Sequence, residues 1–148
     1  MDLRRLVDRL DRRMIRFMTA HGTRLLRISL GIVFIWFGAL KVIGRSPVGE
    51  LVARTVYWFP PERFVPLLGA WEMAVGIGLL LGVALRFVLL LFWLQLAGTW
   101  LVLVLRPDIA FQGGNPLLLT TEGEFVVKNL VLISAGLAVG ATVPRNGR

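Results

Sequence analysis

Four apolar runs, at about residues 28–43, 64–85, 87–105 and 125–143, take up half of the chain. Each approaches the roughly 17–25 residues that a tilted helix needs to cross the hydrocarbon core of a bilayer. Backbone N–H and C=O groups meet no water there, so only helices and closed barrels can satisfy them. The runs lack the polar–apolar alternation of a barrel strand, and they predict four transmembrane helices. The first run is the shortest. Extended toward Arg24, with Arg27 reaching along its apolar stem to the interface, it becomes a span of about 27–44. Of the 148 residues, 56% are hydrophobic, above the roughly 45–50% of a soluble domain.

Charge is distributed unevenly. The formal net charge is +8, and Arg4, Arg5, Arg9, Arg12, Arg13, Arg16, Arg24 and Arg27 all precede or open the first span. Leu3, Leu6, Val7, Leu10, Met14, Phe17 and Met18 recur there at helical spacing, with arginines and aspartates on the other face. Residues 1–24 therefore read as a separate basic amphipathic helix. It would lie on the inner leaflet against anionic lipids or dock on the cytoplasmic face of a partner protein. A nucleic-acid partner is set aside, because basic residues abutting a span have a lipid surface nearer to hand. The first apolar run is long and lacks a small-residue cleavage pattern, so it is not read as a cleavable signal.

The positive-inside rule sets the orientation. The arginine-rich start is cytoplasmic, and four crossings return Arg145 and Arg148 to the same side. Arg86 marks the turn between the second and third spans as cytoplasmic, while Glu50, Glu62, Asp108, Glu122 and Glu124 fall in two outer loops. In the first outer loop, residues 44–66, Ser46-Pro47 resembles a helix start, and Val48, Leu51, Val52 and Val56 keep helical spacing. Tyr57, Trp58 and Phe59 suit an interface, and Pro60-Pro61 ends the element. The second outer loop, residues 106–124, is turn-rich through Pro107, Gly113-Gly114-Asn115-Pro116 and Gly123, and Leu117, Leu118 and Leu119 could dip among headgroups. The expected fold is an all-α membrane protein. It comprises a four-transmembrane-helix bundle over residues 25–148, the N-terminal interfacial helix, and a short interfacial helix in the first outer loop. Ala70, Ala74, Gly78 and Gly82, with Gly31/Gly38 and Gly136/Gly140, supply small-residue stripes where helices can approach closely or a second subunit can pack.

The candidate chemistry is confined to a few polar residues. The chain has no cysteine, which removes disulfides, thiolate metal sites and dithiol relays. Its one histidine, His21, precedes the first span, so bis-histidine haem ligation within the chain is excluded and no metal site is predicted. Glu72 lies inside the second apolar run, where an isolated carboxylate is costly and calls for a partner. Counted at about 1.5 Å per residue, Lys41, Glu72, Thr99, Glu124 and Lys128 fall in the outer half of the bundle. Gln95 shares a face with Thr99, and Asn129 follows Lys128. This set reads either as a buried ion-pair network that fixes helix order or as a pocket for a lipid-soluble headgroup. In a pocket, Glu72 would handle protons while Lys41 or Lys128 donates to a carbonyl oxygen. Passage of an ion or small solute is a third reading. It would be favoured by an inverted repeat with broken helices, and none is visible.

Residues 27–41 (RISLGIVFIWFGALK), 46–62 (SPVGELVARTVYWFPPE), 67–82 (LLGAWEMAVGIGLLLG) and 121–137 (TEGEFVVKNLVLISAGL) resemble the DoxX-like and YkgB-like small membrane proteins. The resemblance centres on Gly38-x-x-Lys41, on Glu72 in its glycine-rich helix, and on Glu124 to Asn129. It implies four transmembrane helices and a place in the bacterial inner membrane. It also implies association with quinone-linked oxidation, since DoxD-type relatives are subunits of thiosulfate:quinone oxidoreductase, while others are linked to oxidative-stress resistance or act as assembly factors. The leading expectation is an accessory subunit, not catalytic alone, whose one implied small-molecule ligand is a quinone. The rivals are a non-enzymatic scaffold for a partner complex and a small-solute transporter. A protein partner or a homo-oligomer is expected in either of the first two cases.

Overall fold

A computed structural model describes residues 3–144; Arg145 and Arg148, used above for orientation, lie outside the described residues. Six helices follow in order: α1 (Leu3–Val42), α2 (Gly49–Thr55), α3 (Pro61–Leu81), α4 (Leu85–Leu105), α5 (Pro107–Ala110) and α6 (Thr121–Gly140). A single 3-10 turn, Gln112–Gly114, follows α5. Four of the helices (α1, α3, α4 and α6) are long and apolar enough to cross a membrane. Among the described residues there is no sheet; Phe111 and Leu119 form one isolated antiparallel pairing.

The boundaries differ from the apolar runs for local reasons. The expected separate N-terminal helix is continuous with the first span, because nothing between Leu3 and Val42 interrupts helical hydrogen bonding. The second helix starts at Pro61, with Pro60 as its cap, so the proline pair opens α3 instead of only closing the preceding segment. Proline suits that place: its missing N–H would have no intrahelical partner there, and its φ is already helical. The helix ends at Leu81 and not Leu85, because Gly82 takes a left-handed φ of 70° and its N–H closes on the Gly78 carbonyl. Arg86 consequently belongs to the first turn of α4. Thr120 caps α6 four residues earlier than the apolar run suggests, its hydroxyl accepting from the Gly123 N–H at 3.1 Å.

The bundle is organised around the α1–α3 pair, which share the most extensive contact. Two glycines on each helix, seven residues apart, face one another. A methyl group at Gly38 would come within 2.5 Å of the Gly69 carbonyl oxygen, and one at Gly76 within 2.7 Å of the Gly31 oxygen. Close backbone approach of this kind is a main source of helix affinity in lipid. The stripe expected at Ala70 and Ala74 is not this interface; both side chains are exposed on the outer side of α3, while Gly78 faces Val88 of α4. The core lies between the four helices and includes Leu30, Phe34, Val75, Leu79, Phe92 and Val139, with the Phe34 and Phe92 rings 4.9 Å apart.

α1 ends, α3 begins, α4 ends and α6 begins at one end of the bundle, called here the loop end. There α2 packs through Leu51 against Val102 and Val126. Arg106 ties this cap together: it donates to the Arg54 carbonyl at 2.8 Å and to both carboxylate oxygens of Asp108. Those hydrogen bonds hold the Asp108 carboxyl below its ordinary pKa. At the opposite end Arg27, expected to reach along its stem to the interface, reaches the end of α3. Its guanidinium donates to the Leu79 and Leu80 carbonyls, closing the C-terminus of α3. Replacing Arg27 by methionine keeps the apolar stem and removes these charged hydrogen bonds. The expected loss is about 1.5–3 kcal/mol, read as a lowered unfolding midpoint in a denaturing-detergent titration.

Candidate functional site: a mainly apolar cleft at the loop end

Glu72 lies near the middle of α3, on the face it shares with Gly69 and Gly76. Because those glycines bring α3 against α1, the residue one turn beyond Gly38, Lys41, is within reach. Its ammonium Nζ donates to Glu72 Oε2 at 2.7 Å and to Oε1 at 2.9 Å. The residues are 5% and 6% exposed, so the pair is sequestered from solvent as well as matched in charge. From α4, Gln95 Nε2 donates to Glu72 Oε1 at 2.5 Å. That contact orients the Gln95 amide and leaves its Oε1 buried with no partner among the described residues. Three helices therefore meet on one carboxylate.

These side chains form part of the wall of a cleft of about 770 Å³. The wall is mainly apolar, with Phe37, Trp71, Leu94 and Leu132 among its residues. Leu67, Leu94, Leu101 and Val131 line the cleft and are also exposed on the flanks of the bundle, so the cleft opens toward the side that faces lipid. A volume of this size lies within the range of small-molecule sites, which combine apolar walls with a few placed polar groups.

The sequence candidates divide clearly. Lys41, Glu72, Gln95, Thr99, Lys128 and Asn129 all line the cleft. Glu124 does not: it pairs with Lys128, four residues on, at 3.1 Å on the exposed face of α6. Lys128 is therefore not the partner of Glu72. The convergence expected of five charged and polar groups reduces to Lys41 and Glu72, with Gln95 added. Thr99 donates to the Gln95 carbonyl within its own helix and lines the cleft. Asn129 is 7% exposed, yet its side-chain amide has no hydrogen-bond partner among the described residues, and it lines the cleft. His21 sits on the exposed N-terminal part of α1, its ring 5.0 Å from that of Phe17. No group of three or more His, Asp or Glu side chains that could hold a metal occurs among the described residues.

Two contributors were missed in the sequence. Thr55 is buried in α2 and lines the cleft; it lies four residues after Leu51, on the same face of the short helix that the spacing predicts. Trp71, beside Glu72, forms part of the wall and donates from its indole to the Leu91 carbonyl at 3.2 Å. Its position next to a buried acid was the available signal.

The cleft offers ligand atoms both donors and acceptors. Two of the three N–H groups of Lys41 are directed to Glu72, leaving one. The Asn129 amide adds two donors and one acceptor. This arrangement suits a flat or elongated apolar molecule carrying carbonyl or hydroxyl oxygens at one end.

The DoxX family model matches residues 22–105. The matched segment begins within α1 and ends with α4, so it contains Lys41, Glu72, Gln95 and Thr99 but not Glu124, Lys128 or Asn129. Neither a curated protein nor a solved structure matches the chain. With more than half of its length matched, including both members of the buried ion pair, the protein belongs to the DoxX family of membrane proteins.

Proposed function

We propose that this protein is a binding subunit of a quinone-linked redox or oxidative-stress system in the bacterial inner membrane, and that the cleft holds the ring of a lipid-soluble quinone. In this reading both termini are cytoplasmic, as the arginine distribution favours, and the cleft lies toward the outer leaflet. The remaining Lys41 N–H and the Asn129 amide donate to a ring carbonyl. Phe37 and Trp71 flank the ring, and the tail leaves past Leu67 or Leu101 into lipid. Glu72, held between Lys41 and Gln95, is the group placed to exchange a proton with a bound quinol or quinone. Electrons come from a partner subunit, and this chain binds and orients.

The observation that carries the proposal is the Asn129 amide, without a hydrogen-bond partner among the described residues, on the wall of the mainly apolar cleft that Lys41 and Glu72 also line. An amide facing an apolar cleft without a hydrogen bond is unfavourable, and a ligand oxygen would satisfy it. Asn129→Leu separates binding from folding. It removes a polar group that makes no hydrogen bond to the described residues, so stability is expected to hold or rise. Quinone affinity is expected to fall about 2–10-fold, the effect of one hydrogen bond of roughly 0.5–1.5 kcal/mol. Quinone titrations of the purified protein in nanodiscs check this. Unchanged affinity in Asn129→Leu and in Glu72→Gln would remove the cleft as the quinone site.

A further inference from the structure

We infer that the N-terminal half of α1 is a membrane-surface module that docks on anionic phospholipid of the bilayer the bundle spans. The inference is independent of what the cleft binds. α1 runs unbroken for 40 residues, about 60 Å and twice the thickness of the hydrocarbon core. Only its second half, from about Leu26 onward, packs in the bundle. Among the described side chains between Arg4 and Gly22, every one is exposed.

This segment has two opposed faces. Leu6, Leu10, Met14 and Phe17 lie along one side and leave large apolar surfaces uncovered. Arg9, Arg12 and Arg16 lie on the other side. Between Leu3 and Arg24 there are seven arginines against two aspartates. A second copy of so basic a helix is disfavoured as the occupant by like charge. An anionic surface is complementary, contributing about 1 kcal/mol for each basic residue held near it. Guanidinium groups also match phosphate by paired hydrogen bonds. The membrane is favoured over an acidic protein because the helix is covalently joined to a span, so the surface is always within reach at high effective concentration. Laying the segment down takes one bend. Gly22 is the single glycine between Leu3 and Leu30, with open space where a side chain would be, and its weak helix preference puts the least resistance there.

The chain has no native cysteine, so single nitroxide labels report cleanly. Met14→Cys and Arg12→Cys, on opposite faces, are labelled in the full-length protein in nanodiscs of phosphatidylcholine with or without phosphatidylglycerol. With phosphatidylglycerol, the label at 14 should be reached by oxygen and shielded from a water-soluble nickel chelate, and the label at 12 should show the reverse. The contrast should disappear without the anionic lipid or at high salt, which screens surface charge. Equal nickel access at 14 and 12 in the anionic bilayer would mean an upright helix and overturn the proposal. Exclusion of both reagents from the label at 14 would also overturn it, because the face would then be covered by protein.

Discussion

Replacing Glu72 by leucine is expected to destabilise the folded bundle by about 3–5 kcal/mol, because it leaves the Lys41 ammonium buried without its counter-ion. Lys41 is 5% exposed, and both oxygens of its partner lie within 2.9 Å, so neither solvent nor another carboxylate replaces what is lost. The other acid that the sequence places at this depth, Glu124, is engaged by Lys128 on the outer face of α6. Lys41→Met alone should cost a similar amount by stranding the carboxylate, reduced by the hydrogen bond that Gln95 still donates. The double replacement Lys41→Met/Glu72→Leu removes both charges. It should recover most of the loss, since apolar substitutes of similar volume are often neutral or stabilising in place of a buried pair. Unfolding midpoints in a denaturing-detergent titration read all three variants. Additive losses in the double variant would contradict a direct pairing.

The second large effect belongs to the α1–α3 contact. Gly38→Leu is expected to lower stability by about 3 kcal/mol, the upper end of the usual range for overpacking. The upper end applies because the obstacle is backbone, which cannot rotate aside. A Cβ at Gly38 would meet the Gly69 carbonyl oxygen at 2.5 Å and the Met73 backbone nitrogen at 2.9 Å. The two helices would have to separate, moving Lys41 away from Glu72, so the same variant should also weaken the buried pair. Gly98→Ala is the control. Nothing lies within 4 Å of its Cβ position in α4, and the gain in helix preference of about 1 kcal/mol should leave stability unchanged or slightly raised. Equal losses at both positions would show that close packing is not the reason for glycine at Gly38.

Hydropathy made the four spans legible, because crossing hydrocarbon demands long apolar runs and little else produces them. It could not place helix ends. Pro61, Glu62 and Arg63 are too polar to enter an apolar window yet form the first turn of α3, and Gly82 stops that helix inside a run that continues apolar to Leu85. Continuity of α1 was hidden for the same reason: its composition changes sharply near Arg24, but its backbone does not. The small residues of α3 offered two stripes a single residue apart, Gly69/Gly76 and Ala70/Ala74. The two stripes lie about 100° apart around the helix, but both are made of small residues, and hydropathy does not tell them apart. The matching seven-residue interval of Gly31 and Gly38 on α1 was the signal that could have chosen.

The acid at the centre of the site was legible because a lone carboxylate in an apolar run needs a partner. Which lysine met it was not, since depth along a helix says nothing about rotation around it. Lys128 was the weaker candidate on local grounds, having Glu124 one turn away. Gln95 was read as facing the same way as Thr99, and only the packing of α4 shows that it reaches Glu72.

The most direct test of the cleft is a quinone titration of the folded protein in nanodiscs, followed by quenching of the tryptophan fluorescence to which Trp58 and Trp71 on its wall contribute. Saturable quenching in the unmodified protein, lost in Lys41→Met/Glu72→Leu while that variant stays folded, is the expected result. Saturable binding that survives the double replacement, or none in the unmodified protein, would contradict it.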